Sequence, residues 1–150
     1  MTKPICQEAV DLVKRFEGFS STVYLCPAFK FTRGYGFIRL SDGSRVKKDT
    51  PPISKEEAEE QLAEELSVFA RGVDRLVKVP INEQQRGSLT SFAFNLGLGS
   101  LKSSTLLRRV NDPDDWDDVP NQFLRWVYAG GKRLRGLELR RAAEADLWLS

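Results

Sequence analysis

The sequence predicts an α+β fold, a small β-sheet lobe joined by a long helix to a helical lobe. Three observations carry that expectation. Residues 23–40 mix β-branched and aromatic residues with glycines, then run into the turn sequence Ser41-Asp42-Gly43-Ser44. Residues 54–79 keep one three-four apolar rhythm for over twenty residues. Beyond Pro80 helical periods return in shorter pieces separated by glycines and aspartates. The expected organisation is one domain, with a β-containing lobe over 17–53, a connecting helix over 54–79 and a helical lobe over 80–150. An N-terminal helix over 5–16 packs on the helical lobe.

Each element has its own signal. From Cys6 to Phe16, the residues Ala9, Leu12, Val13 and Phe16 share one helical face, and Glu17-Gly18 ends the helix because glycine suits a helix C-terminus. Val23 to Leu40 reads as a small antiparallel sheet. After Pro51-Pro52, Ser54 and Glu57 form a capping-box pair. Ala58, Leu62, Leu66, Phe69, Val73, Leu76 and Val77 then carry a helix on the order of 36 Å long, more than a single lobe of this size needs. Asn82 and Gln85 are a second capping box, opening a helix that buries Leu89, Phe92, Ala93 and Leu96 and closes at Gly97 and Gly99. Ser103 to Val110 is a short helix and Asn111 to Asp115 a loop. Phe123 to Tyr128 reads as helix stopped by Gly130-Gly131, and Leu137 to Leu149 as the last helix.

Composition bounds the partners. A net charge of +2 is too small to argue for nucleic acid. Its distribution is uneven: Lys132, Arg133, Arg135, Arg140 and Arg141 form a basic cluster, whereas Glu56, Glu57, Glu59, Glu60, Glu64 and Glu65 crowd one helix. Such runs are ordinarily solvated helix faces; the sharper reading is a basic face that attracts a polyanion such as a wall polymer. Two cysteines, Cys6 and Cys26, are too few for a disulfide scaffold. No apolar run reaches the length of a membrane span and no signal-peptide pattern is present, so the expectation is a soluble protein made in a cytoplasm, released by another factor if its substrate lies outside.

Chemistry concentrates in one short stretch. Glu17 is followed after eight residues by Cys26 and after five more by Thr32, directly before Gly34-Tyr35-Gly36. Glycoside hydrolysis needs an acid for the leaving oxygen and a second group for water or carbon on the opposite face. Glu17 at a helix end can be the acid. Cys26 can serve as base or nucleophile once ionised, and the Thr32 hydroxyl can hold a water. Each residue alone has a plainer reading: a solvated glutamate, a small buried thiol, a strand threonine.

Phe16-Glu17-Gly18, Tyr24-Leu25-Cys26-Pro27-Ala28 and Thr32-Arg33-Gly34-Tyr35-Gly36 together resemble the phage-type lysozymes, the endolysins of glycoside hydrolase family 24, in the form with cysteine at the second catalytic position. The likeness continues through Ser91-Phe92-Ala93-Phe94-Asn95-Leu96-Gly97, Ser104-Thr105-Leu106-Leu107, Arg125-Trp126-Val127-Tyr128-Ala129-Gly130-Gly131 and Gly136-Leu137 with Arg140-Arg141. The resemblance implies a two-lobed lysozyme-like fold and an N-acetylmuramidase. Such an enzyme cuts the β-1,4 bond between N-acetylmuramic acid and N-acetylglucosamine in peptidoglycan, acts on the cell wall after release, and needs no cofactor or metal. It also implies Glu17 as general acid, Cys26 in the second catalytic position and Thr32 as water-positioning residue. Substrate contacts fall at Asn95 and Tyr35, and at Arg140 and Arg141, which either orient Glu17 or pack the lobe. Trp126 is expected in the helical core.

Two departures stand out. The family usually has histidine after Gly34-Tyr35-Gly36, whereas this chain has Phe37 and no histidine at all. Pro120 falls where relatives run as helix, which implies a bent or delayed start there. Cys6 lies about 16 Å before Glu17 along a straight helix, which makes a bridge to Cys26 marginal, so two free thiols are expected. A monomer is expected. The competing readings are an inactive wall-binding relic and a glycosidase shifted to chitin-like oligomers.

Overall fold

The structure, a computed structural model, describes residues 3–150. It is mixed α and β, as expected, and divides into two units: Lys14–Glu65, and the stretch ending at Val13 together with Leu66–Ser150.

In the first of these, the end of helix α1 (Gln7–Glu17) leads into strands β1 (Ser20–Leu25) and β2 (Phe31–Gly34), paired antiparallel with Tyr24 opposite Thr32 and Leu25 opposite Phe31. Gly18, at φ +70, ends α1 with its N–H on the Lys14 carbonyl at 2.9 Å, the left-handed closure that glycine adopts without strain. Irregular bridges join Arg33 to Phe37 and Arg39 to Arg45. Tyr35, Phe37, Val46 and Ile53 are buried in this unit, as are Ala58 and Leu62 from the start of α2 (Lys55–Leu76). The Ser54–Glu57 capping box is present in both directions.

The second unit is helical, with α3 (Glu83–Leu96), α4 (Leu98–Ser103), α5 (Thr105–Val110), α6 (Val119–Phe123) and α7 (Arg135–Leu149). Asn82 and Gln85 cap α3 reciprocally. Val73, Leu89, Phe92, Ala93, Leu106, Val110 and Phe123 are fully buried, and each large side chain among them contributes about 1.5–3 kcal/mol. Trp126 joins this core edge-on to Phe92, with ring centroids 5.4 Å apart, as expected. Gly87 lets α3 approach closely: an added Cβ would lie 2.7 Å from Ala9 and 2.9 Å from the Cys6 sulfur.

Two local expectations need correction. Residues 123–128 are not a helix. The chain leaves α6 at Phe123 and enters a hairpin of β3 (Tyr128–Ala129) and β4 (Lys132–Arg133). Gly130 and Gly131, at φ +57 and +77, are the two-residue turn of that hairpin, a conformation that requires positive φ at both positions. Of the two expected outcomes at Pro120, the delayed start is the one seen: the proline lies in the first turn of α6, where a missing N–H costs nothing. The aspartate-rich loop continues into a 3₁₀ turn over Pro113–Asp118, capped by the Asp112 side chain. Among the described residues no helix is long and apolar enough to cross a membrane.

Candidate active site

Glu17, Cys26, Thr32 and Tyr35 all belong to the Lys14–Glu65 unit. Glu17 is the last residue of α1, half-buried, and its carboxylate lies over Gly36: a Cβ built there would be 2.7 Å from Oε1. The glycine, at φ +78, leaves room that any side chain would take from the acid.

Cys26 follows β1 and opens a tight turn. Its N–H bonds the Lys30 carbonyl at 3.0 Å, and the Phe29 N–H bonds back to the Cys26 carbonyl at 2.8 Å. The Thr32 hydroxyl, buried at 2% exposure, donates to that same Lys30 carbonyl at 2.9 Å. Hydrogen bonding from the Lys30 backbone, then from the Thr32 side chain, holds the Cys26 thiol below its ordinary value. Cys6, in the other unit, is pushed up by burial. Both thiols are free, as expected.

Tyr24, opposite Thr32, shares this neighbourhood. Burial raises its phenol first, followed by the charges of Cys26 and Glu17. Glu65 on α2 is also pushed up by burial. The Gln61 amide opposes that by donating to its carboxylate at 2.9 Å, and Glu17 and Glu64 raise it further. Tyr35 is buried at 3% exposure, 5.3 Å from the Phe19 ring and with the Lys14 ammonium 5.9 Å above its own. Phe37 is equally buried; its ring edges onto Tyr35 and fills the space above Gly34.

Asn95, Arg140 and Arg141 belong to the other unit and form a buried polar knot there. Arg140 and Arg141 are 3% and 0% exposed and Glu144 between them is 0%. Arg141 Nε stands 2.8 Å from Glu144 Oε1, Arg140 Nε is 3.4 Å from Oε2, and the Ser91 hydroxyl donates to Oε2. Arg141 Nη2 donates to Asn95 Oδ1 at 2.6 Å and its guanidinium lies over the Phe92 ring at 5.2 Å. Burial pushes the Glu144 carboxyl up against the pull of Arg141 and Arg140. The expected basic face is therefore smaller than its sequence: Arg140 and Arg141 are inside, and only Lys132, Arg133 and Arg135 are exposed, with Arg133 tied to Glu138 at 3.2 Å.

A family model described as phage lysozyme matches residues 14–144, which includes Glu17, Cys26, Thr32, Asn95 and the buried arginines. The chain belongs to the phage lysozyme family. It is similar to the endolysin of Bacillus phage B103, at 41% identity over 97% of this chain and 54% of that protein. The endolysin of Acyrthosiphon pisum secondary endosymbiont phage 1 is 33% identical over 97% of this chain and 98% of its own length. Among solved structures, the endolysin from Escherichia coli O157:H7 phage FAHEc1 aligns with a TM-score of 0.90 at 30% identity, covering 100% of this chain and 96% of that one. The chain spans about half the length of the Bacillus phage endolysins it matches.

Within this phage-lysozyme chain, sequence reasoning passed over Tyr24, Glu65 and Glu144. A signal existed for two of them. Glu65 adjoins Leu66 and stands three residues after Leu62 on the apolar face of α2, and Glu144 follows Arg140 and Arg141 at helical spacing. Tyr24 needed the strand register.

Proposed function

We propose that the chain is an N-acetylmuramidase that hydrolyses the β-1,4 glycosidic bond of peptidoglycan, with its two units acting as the lobes of one domain. The observation that carries the reading is the Glu17 carboxylate held over Gly36 in the same unit as the Cys26 thiol and the Thr32 hydroxyl, within a phage-lysozyme match. Glu17 protonates the leaving oxygen. Cys26, eased toward thiolate, takes a proton from the attacking water or attacks carbon itself. The Thr32 hydroxyl spends its one proton on the Lys30 carbonyl and keeps its lone pairs for a water. Asn95, whose oxygen Arg141 occupies, has its amide NH₂ to offer a glycan oxygen. We assign Arg140 and Arg141 to holding Asn95 and Ser91 in place rather than to touching sugar, and Tyr35 to supporting the Glu17 helix end. The protein acts as a monomer on the bacterial wall.

The test counts reducing ends released from purified peptidoglycan. Wild type releases them, and Glu17→Gln lowers the rate by about 10²–10⁴-fold, the usual worth of a general acid. Full activity in Glu17→Gln would sink the acid assignment, and wall binding without any release would leave a binding relic. Equal turnover of chitin oligomers would shift the substrate class. The anomer first formed tells whether Cys26 activates water or attacks carbon.

A further inference from the structure

The turn that places Cys26 next to Thr32 has a second face. A groove of about 240 Å³ opens there, lined by Phe29, Lys30, Phe31, Ile38, Arg45 and Val46. Two of these are cations and none is an acid. Phe29 is 82% exposed, Phe31 37%, and Leu25, opposite Phe31 across the hairpin, 53%, so apolar side chains gather on water here. Phe29 also has φ +61, the left-handed region that a bulky residue enters only under strain. Glycine would make the same turn without strain and without exposing a ring. A position that carries both costs points to contact with something.

We propose that this groove is a second glycan-binding site, taking a carboxylate-bearing sugar strand of the bacterial wall beyond the sugars held at Glu17 and Cys26. The inference rests on the muramidase reading above. Aromatic rings pack on the C–H face of a pyranose, and Lys30 and Arg45 complement carboxylates on the strand. Continuity favours a sugar strand as occupant. The Lys30 carbonyl accepts from both Cys26 and Thr32, and Lys30 also lines the groove, so one residue belongs to both places. A chain long enough to fill both gains affinity through its length.

The test measures affinities of the Glu17→Gln protein for length-sorted glycan strands from peptidoglycan, stripped of peptide but keeping lactyl carboxylates. Chitin oligomers of matching length serve as the neutral series. Long wall strands are expected to bind at least about tenfold tighter than a tetrasaccharide. Adding Phe29→Gly erases that advantage for both polymers, while adding Arg45→Ala erases it for wall strands and spares chitin. Unchanged melting temperatures exclude misfolding, since glycine suits the turn and Arg45 is exposed. Equal affinity for long and short strands, or a length advantage that survives both variants, overturns the proposal. So does a dimer seen by sedimentation that Phe29→Gly dissolves, which assigns the patch to a second copy. A wild-type protein that releases no reducing ends overturns the muramidase reading alone, because the binding series needs no catalysis.

Discussion

Cys6 and Cys26 are the same residue type driven in opposite directions. Burial raises the first; donors from Lys30 and Thr32 lower the second. A thiol below its ordinary value has more thiolate at neutral pH, and thiolate is what reacts. Alkylation followed by mass spectrometry across pH should therefore label Cys26 before Cys6, with the lower midpoint at Cys26. Thr32→Val should move that midpoint upward, toward an ordinary thiol. Labelling of Cys6 first would contradict the assignment of donors. The position of Cys26 was legible, because its spacing from Glu17 and Thr32 is written in the chain. Its electrostatics were not. They depend on a turn in which Phe29 takes a conformation that residue preferences argue against, so no local rule leads to the Lys30 backbone beside the sulfur.

Helix α7 is the element on which sequence and structure part most. Read as a string, Arg135-Gly136-Leu137-Glu138-Leu139-Arg140-Arg141 looks like a solvated basic face. In the fold the helix turns Arg140, Arg141 and Glu144 inward, where Ser91 and Asn95 of α3 receive them. Apolar periodicity cannot report a buried face made of charges, which is why the charge run alone read as solvated, while the family resemblance left packing of the lobe open for both arginines. Burying three charges is tolerable only while they pair. Glu144→Ala should leave the buried Arg141 guanidinium without its counter-charge and lower stability by about 3–5 kcal/mol. Thermal unfolding checks this, at about 2–4 °C per kcal/mol for a chain of this size. A loss near zero would mean that water reaches the knot. The other elements were largely legible: both capping boxes and the Gly18 stop form as read. The 123–128 segment was not, since Gly130-Gly131 fits a helix end and a hairpin turn equally well and only pairing with Lys132–Arg133 decides.

At the scale of the whole molecule, the two units differ in how they are held. The helical unit has a core of fully buried side chains from α3, α5 and α6. The other rests on a two-stranded hairpin whose β1 has no fully buried residue, and two-stranded hairpins are marginal by themselves. Hydrogen exchange should find slow amides in α3 and faster ones in β1 and β2. A single opening free energy for both would refute that division. The α+β class and most of the order of elements were readable from the sequence, because periodicity and turn chemistry are local. Phe37 has a consequence at this scale. With phenylalanine buried at this position, the chain has no imidazole, the one side chain that ordinarily changes charge between about pH 5 and 8. Fewer groups than usual therefore change charge across that interval, and the lowered Cys26 thiol and the raised Glu65 and Glu144 carboxyls shift toward it. Comparing wild type with Cys26→Ser would then count one thiolate against a background that most proteins fill with histidines.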